Sequence, residues 1–117
     1  MLENGQALKV TIHLNRDTGA AHGFLPEEIF AFLRRNGIEG ATMLQAHAGF
    51  GAHRQLHTDG AGGVAGLHLP VAIYFIEQQQ KVASIIEELL SMVTDGLIEA
   101  HPTTILKNVT SSEKVLS

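Results

Sequence analysis

The order of its periodic segments constrains this chain most. Two strand–helix–strand units flank a long glycine-rich connection, residues 48–68 (AGFGAHRQLHTDGAGGVAGLH). In the first unit, Ala7 to Asn15 alternates Leu8, Val10, Ile12 and Leu14 with Lys9, Thr11 and His13. That period of two predicts a strand buried on one side. After turn residues at Asp17, Thr18 and Gly19, a helix begins near Pro26, whose missing N–H costs nothing in a first turn. Glu27 and Glu28 suit the positive end of its dipole, and Arg34 and Arg35 the negative end. Leu25, Ile29, Phe32 and Leu33 fall on one face, and Gly37 stops the helix. Gly40 opens a strand over 41–48.

The second unit starts at Leu69. Residues 69–77 (LPVAIYFIE) are apolar almost throughout, as a central strand requires, with Pro70 at its beginning where no ladder donor is needed. A helix spans 78–95, with Val82, Ile85, Ile86, Leu89, Leu90 and Val93 as its apolar stripe. Glu87 and Glu88 read as solvated positions on that helix. Gly96 ends it. A strand over 97–100 is broken by His101-Pro102, and 103–109 supplies a short extra strand. Residues 1–6 and the tail after Val109 read as loose. The 117 residues make one domain, with its core over about 7–109.

Two right-handed crossovers that fold together make a four-stranded antiparallel sheet with both helices on one face. The fold class is α+β, a ferredoxin-like βαββαβ sandwich. Such a sheet leaves its second face open. Val71, Ile73 and Phe75 point to one side of the strand over 69–77, and Ala72, Tyr74 and Ile76 to the other. Both sets are apolar, so the open face is expected to be covered by further subunits in a closed oligomer.

Composition excludes several functions. A net charge of −4 with no basic block argues against nucleic acid as the partner. Without cysteine there is neither a disulfide framework nor thiolate chemistry. No apolar run reaches the roughly 20 residues of a membrane span, and the start lacks the pattern of a secretory signal, so a cytoplasmic location is expected. No nucleophile elbow is present, and no carboxylate has an identifiable acid–base partner. Gly60 to Gly66 (GAGGVAG) superficially resembles a phosphate cradle. It lacks the following Lys-Ser/Thr and leads into a strand, where a phosphate loop needs a helix N-terminus. The chain is not expected to be an enzyme.

Attention therefore rests on the 48–68 connection, since loops of this length bind something or move. Its histidines offer one chemistry. His47, His53, His57 and His68 flank or occupy it, and His53 and His57 would share a face of a helical segment. Neutral imidazole binds zinc, copper and nickel, so a divalent metal held by His53 and His57 is one reading, that of a metal-responsive sensor linked to transport.

Other residues carry a resemblance. Gly49-Phe50-Gly51 followed by His57-Thr58, Gly40-Ala41-Thr42, and Asp95-Gly96-Leu97-Ile98 followed by Pro102 resemble, in order and spacing, motifs of P-II signalling proteins. The whole pattern is most similar to the P-II-like domain-of-unknown-function-190 family, over roughly residues 8–106. The resemblance implies a trimeric, P-II-like signalling protein. A small effector, an adenine nucleotide or other small anion, would bind in clefts between subunits. The long loop would then report to a transporter or enzyme. Carried over by position, Gly49, Phe50 and Gly51 form the loop base beside the ligand, with Arg54 or Gln55 as polar contacts beyond it. Thr42 lies near the base. Asp95 and Gly96 form the turn of the opposing subunit. P-II proteins follow the D-G turn with a lysine and place arginines on the last strand. Here Leu97 follows Gly96, and Lys107 is the base nearest in sequence. A triphosphate then lacks the partners its charge needs, and a nucleoside monophosphate, a cyclic nucleotide, a small anion or a metal fits as well.

Overall fold

A computed structural model describes residues 1–21, 23–50, 57–58 and 69–111, the pair 57–58 by its backbone. The elements, in order, are β1 (Gly5–Asn15), β2 (Gly19–Ala20), β3 (Gly23–Phe24), α1 (Leu25–Arg35), β4 (Thr42–Gln45), β5 (Ala48–Gly49), β6 (His57–Thr58), β7 (Pro70–Glu77), α2 (Gln79–Met92) and β8 (Leu97–Ile105). Four of the strands form one antiparallel sheet in the order β4-β7-β1-β8. The first strand of each unit, β1 and β7, is central, and the last strand of each, β4 and β8, closes an edge. This is the expected ferredoxin-like sheet.

The core lies between the helices and one sheet face. β1 contributes Val10, Ile12 and Leu14, and β7 contributes Val71, Ile73 and Phe75. Their register (Val10 opposite Phe75, Ile12 opposite Ile73, Leu14 opposite Val71) puts all six on one side. Leu25, Ile29, Phe32 and Leu33 of α1 and Val82, Ile85 and Leu89 of α2 pack on them. Phe32, Ile29, Ile12 and Leu89 are fully buried. Burying one such side chain contributes roughly 1.5–3 kcal/mol. α1 ends as its sequence implies. Ile38 N–H donates to Leu33 O at 3.0 Å and Gly37 N–H to Arg34 O at 3.1 Å, with Gly37 at φ +80°. This C-terminal motif requires the left-handed conformation that glycine adopts without strain.

Several expectations shift. β8 runs unbroken through His101 and Pro102. It is an edge strand bonded on one side only, where a proline nitrogen is tolerated when it faces away from the neighbour. β4 stops at Gln45, and Ala48–Gly49 pairs instead with His57–Thr58, so the long connection begins as a small ribbon. A second ribbon, β2 with β3, occupies the turn before α1. α2 ends at Met92 rather than 95, and Leu90 of its expected stripe is 53% exposed while Ile86 and Val93 pack at the core's margin. No helix among the described residues is long and apolar enough to cross a membrane.

The opposite sheet face is open. Rows across it read Leu44, Ala72, His13, Leu97 and then Thr42, Tyr74, Thr11, Glu99, followed by Ile76, Lys9, His101. Leu44 and Leu97 are more than half exposed. The polar groups between them are already engaged. His13 Nε2 lies 2.7 Å from Glu99 Oε2, and Lys9 Nζ sits 4.4 Å from the centre of the Tyr74 ring.

Candidate functional site

The register places the residues singled out by sequence at one end of the sheet. β4 finishes there opposite Val71, β7 begins there, β1 finishes there, and Leu97 begins β8 opposite His13. Backbone bonds tie this end together. Ala46 N–H donates to Pro70 O and Arg16 N–H to Leu69 O, both at 2.9 Å.

Gly49 and Phe50 sit at this end, as the base of the long connection. A Cβ on Gly49 would stand 2.9 Å from Pro70 Cγ. The backbone therefore passes over the proline ring at a distance that excludes a side chain. Gly49→Ala is expected to move the ribbon off Pro70 and lower stability by about 1 kcal/mol. Thermal melting of the variant beside wild type measures it. Phe50 follows directly and is 67% exposed, an aromatic side chain presented to solvent beside the ribbon.

Asp95 and Gly96 occupy the same end at the other edge. A Cβ on Gly96 would meet His13 O at 2.5 Å, Val93 Cγ1 at 3.2 Å and Leu14 Cβ at 3.4 Å. The turn is thus pressed against the backbone of β1. Between the two edges stand β7 and β1. Strands lie about 4.8 Å apart, so the loop base and the D-G turn of one chain are separated by roughly 14 Å. Thr42 is a third case. It lies opposite Tyr74 on the open face, three residues before β4 ends and away from Phe50. Gly51, His53, Arg54 and Gln55 lie outside the described residues, as do the body of the loop, His68 and the end of the tail, and of His57 and Thr58 the backbone pairing alone is described.

Positive charge at this end is scarce among the described residues. Arg16 is held by Glu27, with Nη2 to Oε2 at 2.7 Å and Nη1 to Oε1 at 3.2 Å. Lys107 lies beyond Ile105, at the far end of β8 from Gly96. No cluster of three His, Asp or Glu among the described residues is placed to hold a metal.

Pro70 and the carbonyl of His13 shape this site, and sequence reasoning did not single them out for it. Each meets its glycine through a distant pairing, 21 positions apart for 49 and 70 and 83 positions apart for 13 and 96. No local pattern announces such contacts.

Comparison with known proteins fits this geometry. Among solved structures, the chain is similar to CPII, a nitrogen regulatory PII-like protein from Thiomonas intermedia K12 bound to ADP, AMP and bicarbonate. The TM-score is 0.62 at 17% identity, covering 89% of this chain and 99% of that one. The apo form of the same protein matches with a TM-score of 0.56 at 15% identity, covering 90% and 97%. A PII-like signalling protein from Thermus thermophilus matches with a TM-score of 0.55 at 15% identity, covering 89% and 91%. Likeness at this identity speaks for the fold. The model of the DUF190 family, described as an uncharacterized ACR, matches residues 7–105, nearly the whole sheet and both helices. The protein therefore belongs to the DUF190 family and has the PII-like fold.

Proposed function

We propose that this protein is a P-II-like regulator whose effector is an adenine nucleotide carrying few phosphates, bound between subunits of a trimer. One observation carries the reading. The loop base and the D-G turn occupy the same end of the sheet but opposite edges, so a neighbour must supply the second half of a cleft. The open face supports the assembly, because Leu44, Ala72, Tyr74, Ile76 and Leu97 present apolar surface while His13 and Lys9 are already paired. ADP and AMP in the structure of CPII support the ligand class. Bound ligand would order the 48–68 connection, which then contacts a protein target such as a transporter or enzyme. The ligand drives that change through its higher affinity for the ordered loop. The protein is a sensor and catalyses nothing.

The charge distribution sets an order of preference. Arg16 is committed to Glu27 and Leu97 stands where a lysine would meet phosphate. AMP or ADP is expected to bind at least about tenfold more tightly than ATP, since each unmatched phosphate charge is poorly neutralised. Isothermal titration with AMP, ADP, ATP and cyclic AMP, with and without bicarbonate, measures this. Absence of heat with every adenine nucleotide would overturn the nucleotide reading. Zinc, copper and nickel in the same series test the histidine reading, with His53→Ala and His57→Ala combined as the control.

A further inference from the structure

We propose that Arg16 is the cation that meets a ligand phosphate at the Asp95–Gly96 turn, and that Glu27, by holding Arg16, sets the preference for effectors with few phosphates. The proposal rests on the nucleotide reading above and adds a specificity-determining pair to it. A phosphate at this turn needs positive charge from elsewhere in the fold, since Asp95 is acidic and Leu97 uncharged. Among the described residues, Arg16 is the one lysine or arginine at the loop-base end of the sheet. Lys9 lies opposite Ile76, toward the other end. Arg34 and Arg35 finish α1, Lys81 stands in the first turn of α2, and Lys107 follows β8.

Strand alternation puts Arg16 near that turn. Leu14 lies on the helix side of the sheet, in the core, and Arg16 follows two positions on, where Glu27 of α1 meets it. A Cβ on Gly96 would stand 3.4 Å from Leu14 Cβ. Two residues of strand span roughly 7 Å, so the turn is within reach of an arginine side chain that swings away from Glu27. The two helices also adjoin here. Glu27 and Met92 line one cavity of about 510 Å³, and Met92 stands three positions before Asp95. The ion pair and the turn share one corner of the fold.

The contact can exchange partners. The Arg16 backbone is fixed, with its N–H on Leu69 O and the following turn closed by Thr18 N–H to Asn15 O at 3.1 Å and Asn15 N–H to Thr18 Oγ1 at 3.0 Å. The guanidinium meets the Glu27 carboxylate fork to fork. The Arg16 side chain is 27% exposed and that of Glu27 54%. A pair this open to water is weakly held. A phosphate presents the same forked acceptors with more charge, so it can take Arg16 from Glu27. The exchange leaves a bare Glu27 carboxylate beside the ligand. Each further phosphate adds like charge next to it, so Glu27 penalises a triphosphate more than a monophosphate. The start of α1 does not depend on Glu27 alone, because Glu28 is also in its first turn.

The test is isothermal titration of AMP, ADP and ATP into the full chain, as wild type, Glu27→Ala, Arg16→Met and the double variant, with thermal melting of each. The ratio of ATP to AMP affinity is expected to rise about three- to fivefold in Glu27→Ala, the scale of an exposed ion pair released. The rise should be clearly smaller when Glu27→Ala is made in the Arg16→Met background, which isolates the coupling of the two residues. Arg16→Lys in the Glu27→Ala background should keep part of it, as a point charge without the fork. An equal rise with and without Arg16 would assign the effect to the Glu27 charge alone and overturn the proposal. A pair that only braces the fold would lower the melting temperature of both single variants and leave the ratio unchanged. Nucleotide binding at an unchanged ratio overturns this proposal alone. No heat from any adenine nucleotide with any of the four proteins overturns the nucleotide reading and this proposal with it.

Discussion

Leu44→Asp is expected to convert the assembled protein to a monomer while leaving the protomer folded. Leu44 is 57% exposed in the single chain and lies on the open sheet face opposite Ala72. A carboxylate there is solvated in the free protomer and costs little. In a closed assembly it would be buried among Ala72, Tyr74 and their copies. An uncompensated buried charge costs about 3–5 kcal/mol, and a threefold assembly would contain three of them. Even one such loss weakens association by roughly two to four orders of magnitude. Sedimentation velocity should show a trimer for wild type and a monomer for the variant, with unchanged circular dichroism. A wild-type monomer, or a variant that sediments as wild type, removes the basis for a cleft between subunits. The same variant should lose nucleotide binding in proportion to its dissociation, because half of each cleft would come from the neighbour.

Gly96→Ala is expected to destabilise the protomer itself by about 2–3 kcal/mol, the upper range for forcing atoms into filled space. The added Cβ would stand 2.5 Å from His13 O, a backbone atom of a central strand. A flexible side chain can swing aside, but a carbonyl bonded into a ladder cannot without breaking the pairing around His13 and Leu97. The Asp95–Gly96 turn must therefore lift away from β1. Thermal melting should fall by on the order of 10 °C for a domain of this size. If Gly96 forms one wall of a nucleotide cleft, binding should fall as well, below what the fraction unfolded explains. Gly49→Ala serves as the comparison. Its added atom meets a proline ring carbon at 2.9 Å, and the ribbon that carries it has only two residues per strand to shift.

Much of the fold is legible in periodicity. Leu8, Val10, Ile12 and Leu14 alternate because β1 is buried on one side. Leu25, Ile29, Phe32 and Leu33 recur at helical spacing because α1 has one face on the sheet. The apolar run of β7 follows from its central place. Errors cluster where an element's surroundings, rather than its own pattern, decide its state. Pro102 breaks a strand in isolation, yet β8 continues through it because an edge strand bonds on one side. Leu90 continues the α2 stripe in sequence but lies beyond the area the sheet covers.

The candidate site divides along the same line. Asp95-Gly96 and Gly49-Phe50 are visible as turn chemistry in a recurrent order, and their family is visible with them. Local patterns also determined, without any coordinates, two helices, four main strands, their pairing into a sheet with helices on one face, and a second face in need of cover. Only the tertiary structure decided that Gly96 faces the carbonyl of His13, that Gly49 passes over Pro70, and that Glu77 is a buried carboxylate with one oxygen accepting the N–H of Gln78. The physical reason is range. Hydrophobic periodicity is set by neighbours three or four residues away, whereas these contacts depend on strand register and helix placement. Those are properties of the whole sheet, and no single segment encodes them.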